Sequence, residues 1–214
     1  MQWKYKLNDK EAAPTEDVGA SIISSPNIVI SSPAASGNNI RVSENRVFFY
    51  ADISEQSALE LNHVLHDLDY RLRTITTTFD DYKPIIKLHI NSFGGSLFAG
   101  MAVVDAIRNL QSDVYTYIDG AAASAATIIS VVGKKRFIGR NSMMLIHQLS
   151  AGAYGNFSEL EDEMENNKRL MQSLKGIYKQ YTKVPMKKLD EILKHDIWFD
   201  ANTCLEYGLV DEIL

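Results

Sequence analysis

A single cysteine, Cys204, rules out any disulfide within the chain. It also fits a reducing compartment. Cys204 is followed by Glu206 and Tyr207 on a short expected helix, with no setting that would lower its pKa, so it reads as a packing residue. Positive charge is scarce: the net charge is -5 over 214 residues and no basic stripe stands out, which argues against nucleic acid as a partner. No apolar run is long enough to span a bilayer; the most apolar, residues 121–132, reads as a buried helix. The first residues, Met1-Gln2-Trp3-Lys4-Tyr5-Lys6, lead into no apolar core of a signal peptide, so none is expected. Residues 11–40 lack aromatics altogether and carry the turn-forming runs Ser24-Ser25-Pro26, Ser31-Ser32-Pro33 and Ser36-Gly37-Asn38-Asn39. Residues 1–40 are therefore expected to be an extension outside the core, with one short strand at 27–30.

The whole chain is 45% apolar and 23% charged, the balance of a globular protein, and one compact domain is expected over residues 41–214. Arg46-Val47-Phe48-Phe49-Tyr50 opens it as a strand. Ser54 is placed to cap a helix whose apolar face is Ala58, Leu61, Leu65, Leu68 and Leu72, at spacings of three and four. His63 and His66 on that helix have no third ligand and read as solvated surface. A polar segment, residues 74–83, ends at Pro84. A second strand, residues 84–90, runs into Asn91-Ser92-Phe93-Gly94-Gly95-Ser96 and a helix at 97–110. A third, residues 114–118, runs into Gly120-Ala121-Ala122-Ala123-Ser124-Ala125-Ala126-Thr127. A fourth, residues 134–139, precedes Ser142-Met143-Met144-Leu145-Ile146, which ends at His147-Gln148. Alternating strands and helices predict an α/β fold with a largely parallel sheet. Its corners at Gly94-Gly95, Ser124 and His147 would then cluster at one end. A long charged helix over about 157–181, a second over 186–195 and a short one over 201–207, stopped by Gly208, close the chain.

The chemistry this arrangement suggests is nucleophilic. Ser124 stands where a helix begins, and helix N-termini present unpaired N–H groups with positive partial charge. The Gly94-Gly95 turn offers bare backbone N–H groups of the kind an oxyanion hole requires. Gly-Gly here is not a nucleotide loop, since neither Lys-Ser/Thr nor a third glycine follows at the right spacing. A serine nucleophile needs a base and a group that orients the base. Of the five histidines, only His147 sits at a strand end near Ser124. Asp119, Asp196 and Asp200 all remain open as the third member.

From Arg46 to Leu214 the chain resembles the proteolytic subunit of the Clp protease, ClpP. Asn91-Ser92-Phe93-Gly94-Gly95-Ser96 is similar to that family's Asn-Ser-Pro-Gly-Gly. Ala99-Gly100-Met101-Ala102 with Asp105 resembles its next helix, and Gly120-Ala121-Ala122-Ala123-Ser124-Ala125 its Gly-Gln-Ala-Ala-Ser-Met. Leu145-Ile146-His147-Gln148 resembles its Met-Ile-His-Gln, and Glu206-Tyr207-Gly208-Leu209-Val210-Asp211 its C-terminal block. The resemblance implies the ClpP/crotonase-like fold of repeated ββα units with a protruding helical handle, about residues 149–181. It puts Ser124 on the nucleophile, His147 on the general base and Asp196 on the orienting acid. Gly95 and Ala125 fall on the oxyanion donors, and no cofactor or metal is implied. Asp200 falls on a serine of the family pattern.

The function implied is that of a serine endopeptidase inside a self-compartmentalised chamber of two stacked seven-membered rings. It would act in the cytoplasm on unfolded proteins or peptides, fed by an AAA+ Clp ATPase that alone would use ATP, without membrane or nucleic acid. Phe93 in place of proline, Ala121 in place of glutamine and Leu149 in place of the proline after His-Gln mark a divergent member. So do the N-terminal 40 residues and the insertion at 74–81. Those departures keep two other readings open: a non-catalytic scaffold subunit of a mixed ring, and a phage-type capsid-maturation protease working without an ATPase. A Ser–Lys dyad using Lys134 or Lys135, and an acyl-CoA enzyme of the crotonase type, are further alternatives.

Overall fold

A computed structural model describes residues 40–76 and 83–214. The expected N-terminal extension and its strand at 27–30, and most of the insertion at 74–81, lie outside the described residues. The fold begins with a hairpin, β1 (Ile40–Ser43) and β2 (Arg46–Phe49), paired antiparallel. Sequence reading began the core at Arg46 and missed β1. The turn is the reason: its first residue, Glu44, takes a positive φ of 56° where hairpin turns favour glycine, so Asn45 alone carried a turn signal.

β2 then pairs in parallel with β3 (Ile85–Ser92), β3 with β4 (Asp113–Ala123), β4 with β5 (Lys135–Ile138) and β5 with β8 (Glu212–Ile213). The expected parallel sheet is therefore present. Connecting helices are α1 (Glu55–Thr76), α2 (Leu97–Asn109) and α3 (Ala125–Val131). Ser54 caps α1 by accepting from the Ser57 N–H at 3.1 Å, and Ser96 caps α2 by accepting from Ala99. Alternation along the strands divides the sheet. Val47, Phe49, Ile86, Leu88, Ile90, Val114 and Ile118 are buried, and they form one core cluster with Leu61, Leu65, Val103, Ile128 and Ile129 of the helices.

The other face is half-exposed and carries a ladder of rings. Phe48, His89, Tyr117 and Phe137 lie opposite one another on β2, β3, β4 and β5. They stack successively with centroids 4.7, 4.6 and 4.7 Å apart.

Two strands complete the site end. β6 (Met143–Leu145) pairs in parallel with the last residues of β4, and β7 (Trp198–Phe199) pairs antiparallel with β6. Here the sequence reading is corrected: residues 121–123 are strand, not the start of the buried helix, which begins at Ala125. Alanines pass between two neighbouring strands at close backbone approach, and so continue β4 where a corner was expected. The register between β3 and β4 slips by two residues, from Ile90↔Ile118 to Ser92↔Ala122, so β4 bulges just before the site.

α4 (Phe157–Tyr181) is the expected long helix, closed at its start by a capping box between Asn156 and Glu159. Only Leu174 and Tyr178 of it are buried. α5 (Met186–Ile192) and α6 (Ala201–Glu206) are each slightly shorter than their sequence pattern. Among the described residues, no helix is long and apolar enough to cross a membrane.

Candidate active site

Ser124 lies between β4 and α3 with φ 54° and ψ -126°, one of two non-glycine residues at positive φ among the described residues. Such a backbone costs on the order of 1–3 kcal/mol and persists only where its surroundings over-determine it. They do so here. The Ser124 N–H donates to Leu145 O at 2.9 Å. Its carbonyl accepts from the Thr127 N–H at 3.0 Å and from Thr127 Oγ1 at 2.6 Å. Because that hydroxyl proton is committed, Tyr178 donates in the 2.5 Å bond between Tyr178 Oη and Thr127 Oγ1. Tyr178 is fully buried, and burial pushes its phenol well above the usual range. A three-member chain thus runs from α4 to the serine backbone.

Gly94 presses on the same corner. A Cβ there would lie 2.6 Å from Ala123 O and 2.7 Å from Ser124 Cβ, and its φ is +92°. Only glycine permits that approach. Gly95, at φ +145°, is held against Ile53: the Ile53 N–H donates to Gly94 O at 2.8 Å and the Ser96 N–H to Ile53 O at 2.7 Å. A parallel bridge of this kind uses the groups flanking Gly95, so Gly95's own N–H points away from Ile53. The Gly94 N–H is already bonded to Ser92 Oγ. Ala125 is the first residue of α3, where the N–H has no partner inside the helix. The Ala125 N–H thus adjoins Ser124, and Gly95 follows the glycine that touches the Ser124 corner.

His147 follows β6 and is a quarter exposed. Its Nδ1 lies 3.3 Å from Asp196 Oδ1, and the Asp196 side chain is 77% exposed. That separation is longer than a tight N–H···O bond. Ser124 Oγ makes no hydrogen bond to His147. His147 is tethered through its neighbours instead: the Gln148 N–H donates to Leu193 O at 2.7 Å and the Leu149 N–H to Met171 Sδ at 3.1 Å. A proline in place of Leu149 would have no N–H to give. A groove of about 450 Å³ opens beside these residues, lined by Leu149, Met164 and Met171 among others, and Ser124, His147 and Gly95 are not on its walls.

The alternatives for the third member have other work. Asp119 accepts from Tyr50 at 2.8 Å and pairs with His89 Nδ1 at 2.8 Å, on the aromatic face. Burial and then the Asp119 bond push the Tyr50 phenol up to about 12. Asp200 caps α6 by accepting from the Thr203 N–H at 2.8 Å, and hydrogen bonds from Thr203 hold its carboxyl below the usual range. Asp196 is thus the carboxylate beside His147. Lys135 pairs with Tyr115, nine residues before Ser124 along β4, roughly 30 Å away at about 3.3 Å per residue. No Ser–Lys dyad forms with it. His63 and His66 are exposed on α1. Cys204 is buried, and burial pushes its thiol up to about 12, as for a packing residue.

A largely parallel sheet flanked by helices, with a strained serine at one strand end and a histidine beside a carboxylate after the neighbouring strand, is a mixed α/β fold of the ClpP type. The Clp protease family matches this chain over residues 39–214, and the chain belongs to that family. The ATP-dependent Clp protease proteolytic subunit of Deinococcus radiodurans is 34% identical over 131 residues, which are 60% of this chain and 64% of that protein. The chain thus spans less than two thirds of that relative's length. The solved structure of an asparagine-to-aspartate mutant of ClpP1 from Listeria monocytogenes superposes with a TM-score of 0.68 at 24% identity. The match covers 80% of this chain and 91% of that one, and it shows the shared fold.

Proposed function

We propose that this chain is a serine endopeptidase of the Clp type. The observation that carries the reading is the Ser124 corner: a non-glycine residue held at positive φ at the head of a helix, with Gly94 pressed against it. In the scheme, His147 takes the Ser124 hydroxyl proton as Oγ attacks a peptide carbonyl carbon. The oxyanion is met by the Gly95 and Ala125 N–H groups. Asp196 holds the imidazole tautomer and stabilises its cation. His147 then gives its proton to the leaving amine, and water, activated by the same imidazole, hydrolyses the acyl ester. Side chains, backbone and water are sufficient for every step.

Family membership favours a chamber of stacked rings, cytoplasmic, taking unfolded polypeptides from an AAA+ ATPase. α4, exposed over most of its length, is the helix that would pack against other subunits. The open Ser124–His147 arm favours one second reading, a scaffold subunit whose serine is never activated. A fluorophosphonate probe separates the two. Assembled protein is expected to label at Ser124, and Ser124→Ala to lose the label and about 10³-fold or more in kcat on peptides. Well-formed rings that take up no probe would sink the peptidase reading.

A further inference from the structure

We infer that Phe93 and Trp198 form a jaw over Ser124 that grips an aromatic side chain of the substrate peptide. The inference rests on the peptidase reading and adds a specificity element to it. Phe93 is 67% exposed, on the turn that continues directly into Gly94-Gly95. Trp198 is 37% exposed, on β7. Their rings meet edge to face, with centroids 6.1 Å apart and planes at 88°.

The two arms rise from opposite flanks of the serine. Gly94, next to Phe93, touches the Ser124 Cβ position, and Trp198 is paired with Leu145, whose carbonyl holds the Ser124 N–H. Trp198 also stands two residues after Asp196. Strand alternation forces it outward: Phe199 turns the other way and packs at right angles on Tyr207, with centroids 5.4 Å apart. Neither ring is needed by the core, and Phe93 stands on a turn otherwise made of glycine and polar residues. Ile197, 58% exposed, extends the apolar rim.

An edge-to-face pair leaves ring faces and edges open to a third ring, and such contacts add to apolar burial. Aromatic side chains therefore fit the jaw better than alanine. A tenfold preference corresponds to the strength of one such pair.

The test moves one phenylalanine along an alanine peptide and measures kcat/KM with assembled protein. Phenylalanine at one position near the scissile bond should raise kcat/KM about tenfold. Phe93→Ala should erase that ratio, Phe93→Tyr should keep it, and Phe93→Leu should lie between. Trp198 supplies a second readout. In Trp3→Phe/Ser124→Ala protein it is the only tryptophan, and its emission should shift saturably with the phenylalanine peptide and not with the alanine peptide. Equal losses on all peptides, or an unresponsive Trp198, would overturn the jaw. Smaller particles in mass photometry of Phe93→Ala would overturn it in favour of packing between copies. Failure of the wild type to take a fluorophosphonate would instead sink the peptidase reading, and the tryptophan titration would still decide the jaw.

Discussion

Ser124 and His147 stand 23 residues apart in the chain but in opposite physical settings. The serine corner is part of the packed centre. Ala122, Ala123, Ala125 and Ala126 around it are all buried, and hydrogen bonds from β6, α3 and, through Thr127, α4 fix its strained backbone. The imidazole and its carboxylate sit at the margin. They lie on connecting segments, with Asp196 mostly in solvent and 3.3 Å from the ring. Strain can be stored only where the surroundings resist relaxation, so Ser124, the proposed nucleophile, is built into the core. A base that must accept and return a proton needs less constraint. Apo contacts of catalytic groups often tighten only in the working complex. α4 reaches both halves: Met171 accepts from the Leu149 N–H beside His147, and Tyr178 bonds Thr127 at the serine corner.

The largest effect expected from breaking this asymmetry is at Gly94. Gly94→Ala drives a Cβ into Ala123 O and Ser124 Cβ, in a backbone region that alanine avoids. Loss of about 3 kcal/mol or more in stability is expected, with near-complete loss of probe labelling. Thermal melting and labelling of the same sample measure both. Wild-type stability in that variant would show the corner to be softer than its packing implies.

Asp196→Asn tests the other half. With the carboxylate in solvent, its melting temperature should stay within about 2 °C of wild type, since surface changes rarely exceed ±0.5 kcal/mol. kcat should still fall about 10²- to 10⁴-fold, because the amide cannot hold the imidazolium. A stability loss matching that of Gly94→Ala would erase the distinction between the two halves.

How much of this was legible in the sequence follows the same division. Small residues after a strand betray the serine corner because only they allow close backbone approach, so Ser124 and Gly94-Gly95 stood out. His147 was visible as the one histidine at a suitable strand end. The carboxylate was not settled by the residues alone; only the family resemblance singled out Asp196. Asp119, Asp196 and Asp200 all lie near strand ends, and only three dimensions show that one is taken by His89 and Tyr50 and another by the N-terminus of α6. β1 was hidden by Glu44 at positive φ, and the full length of β4 by alanines that read as a corner. The Thr127–Tyr178 bond spans 51 residues and leaves no local pattern.

That bond offers a smaller test of how the packed half is held. Thr127→Val keeps the shape but leaves the Tyr178 hydroxyl buried without its acceptor, which costs about 1–3 kcal/mol. Tyr178→Phe removes only a donor, while Thr127 still bonds the Ser124 carbonyl, and should cost about 1 kcal/mol. kcat should fall more in the valine variant, where the serine carbonyl loses a partner. Equal kcat in the two variants would mean that Thr127 fixes α4 and not the serine.

The least effect is expected at the root of α4, where the margin is tied back to the sheet. Arg136 of β5 donates to Tyr181 O at the end of α4, to Gly208 O at 2.8 Å and to both oxygens of Asp211, at 2.5 and 3.0 Å. The Arg136 guanidinium holds the Asp211 carboxyl below the usual carboxylate range. A folded-state pKa lower than the unfolded one means that the ionised form favours folding. The contribution is complete above the ordinary carboxylate range, near pH 4, and is lost as pH falls through the lower, folded value. Because the Asp211 side chain is 42% exposed, the contribution is screened and modest. Asp211→Asn should therefore melt slightly earlier than wild type at pH 7, and the two melting curves should converge as pH drops below the carboxylate range. Probe labelling at pH 7 should hardly change, since the serine corner does not depend on this tie. A gap in melting temperature that persists in acid would assign the stabilisation to the Arg136 bonds to Tyr181 and Gly208, and leave Asp211 a spectator.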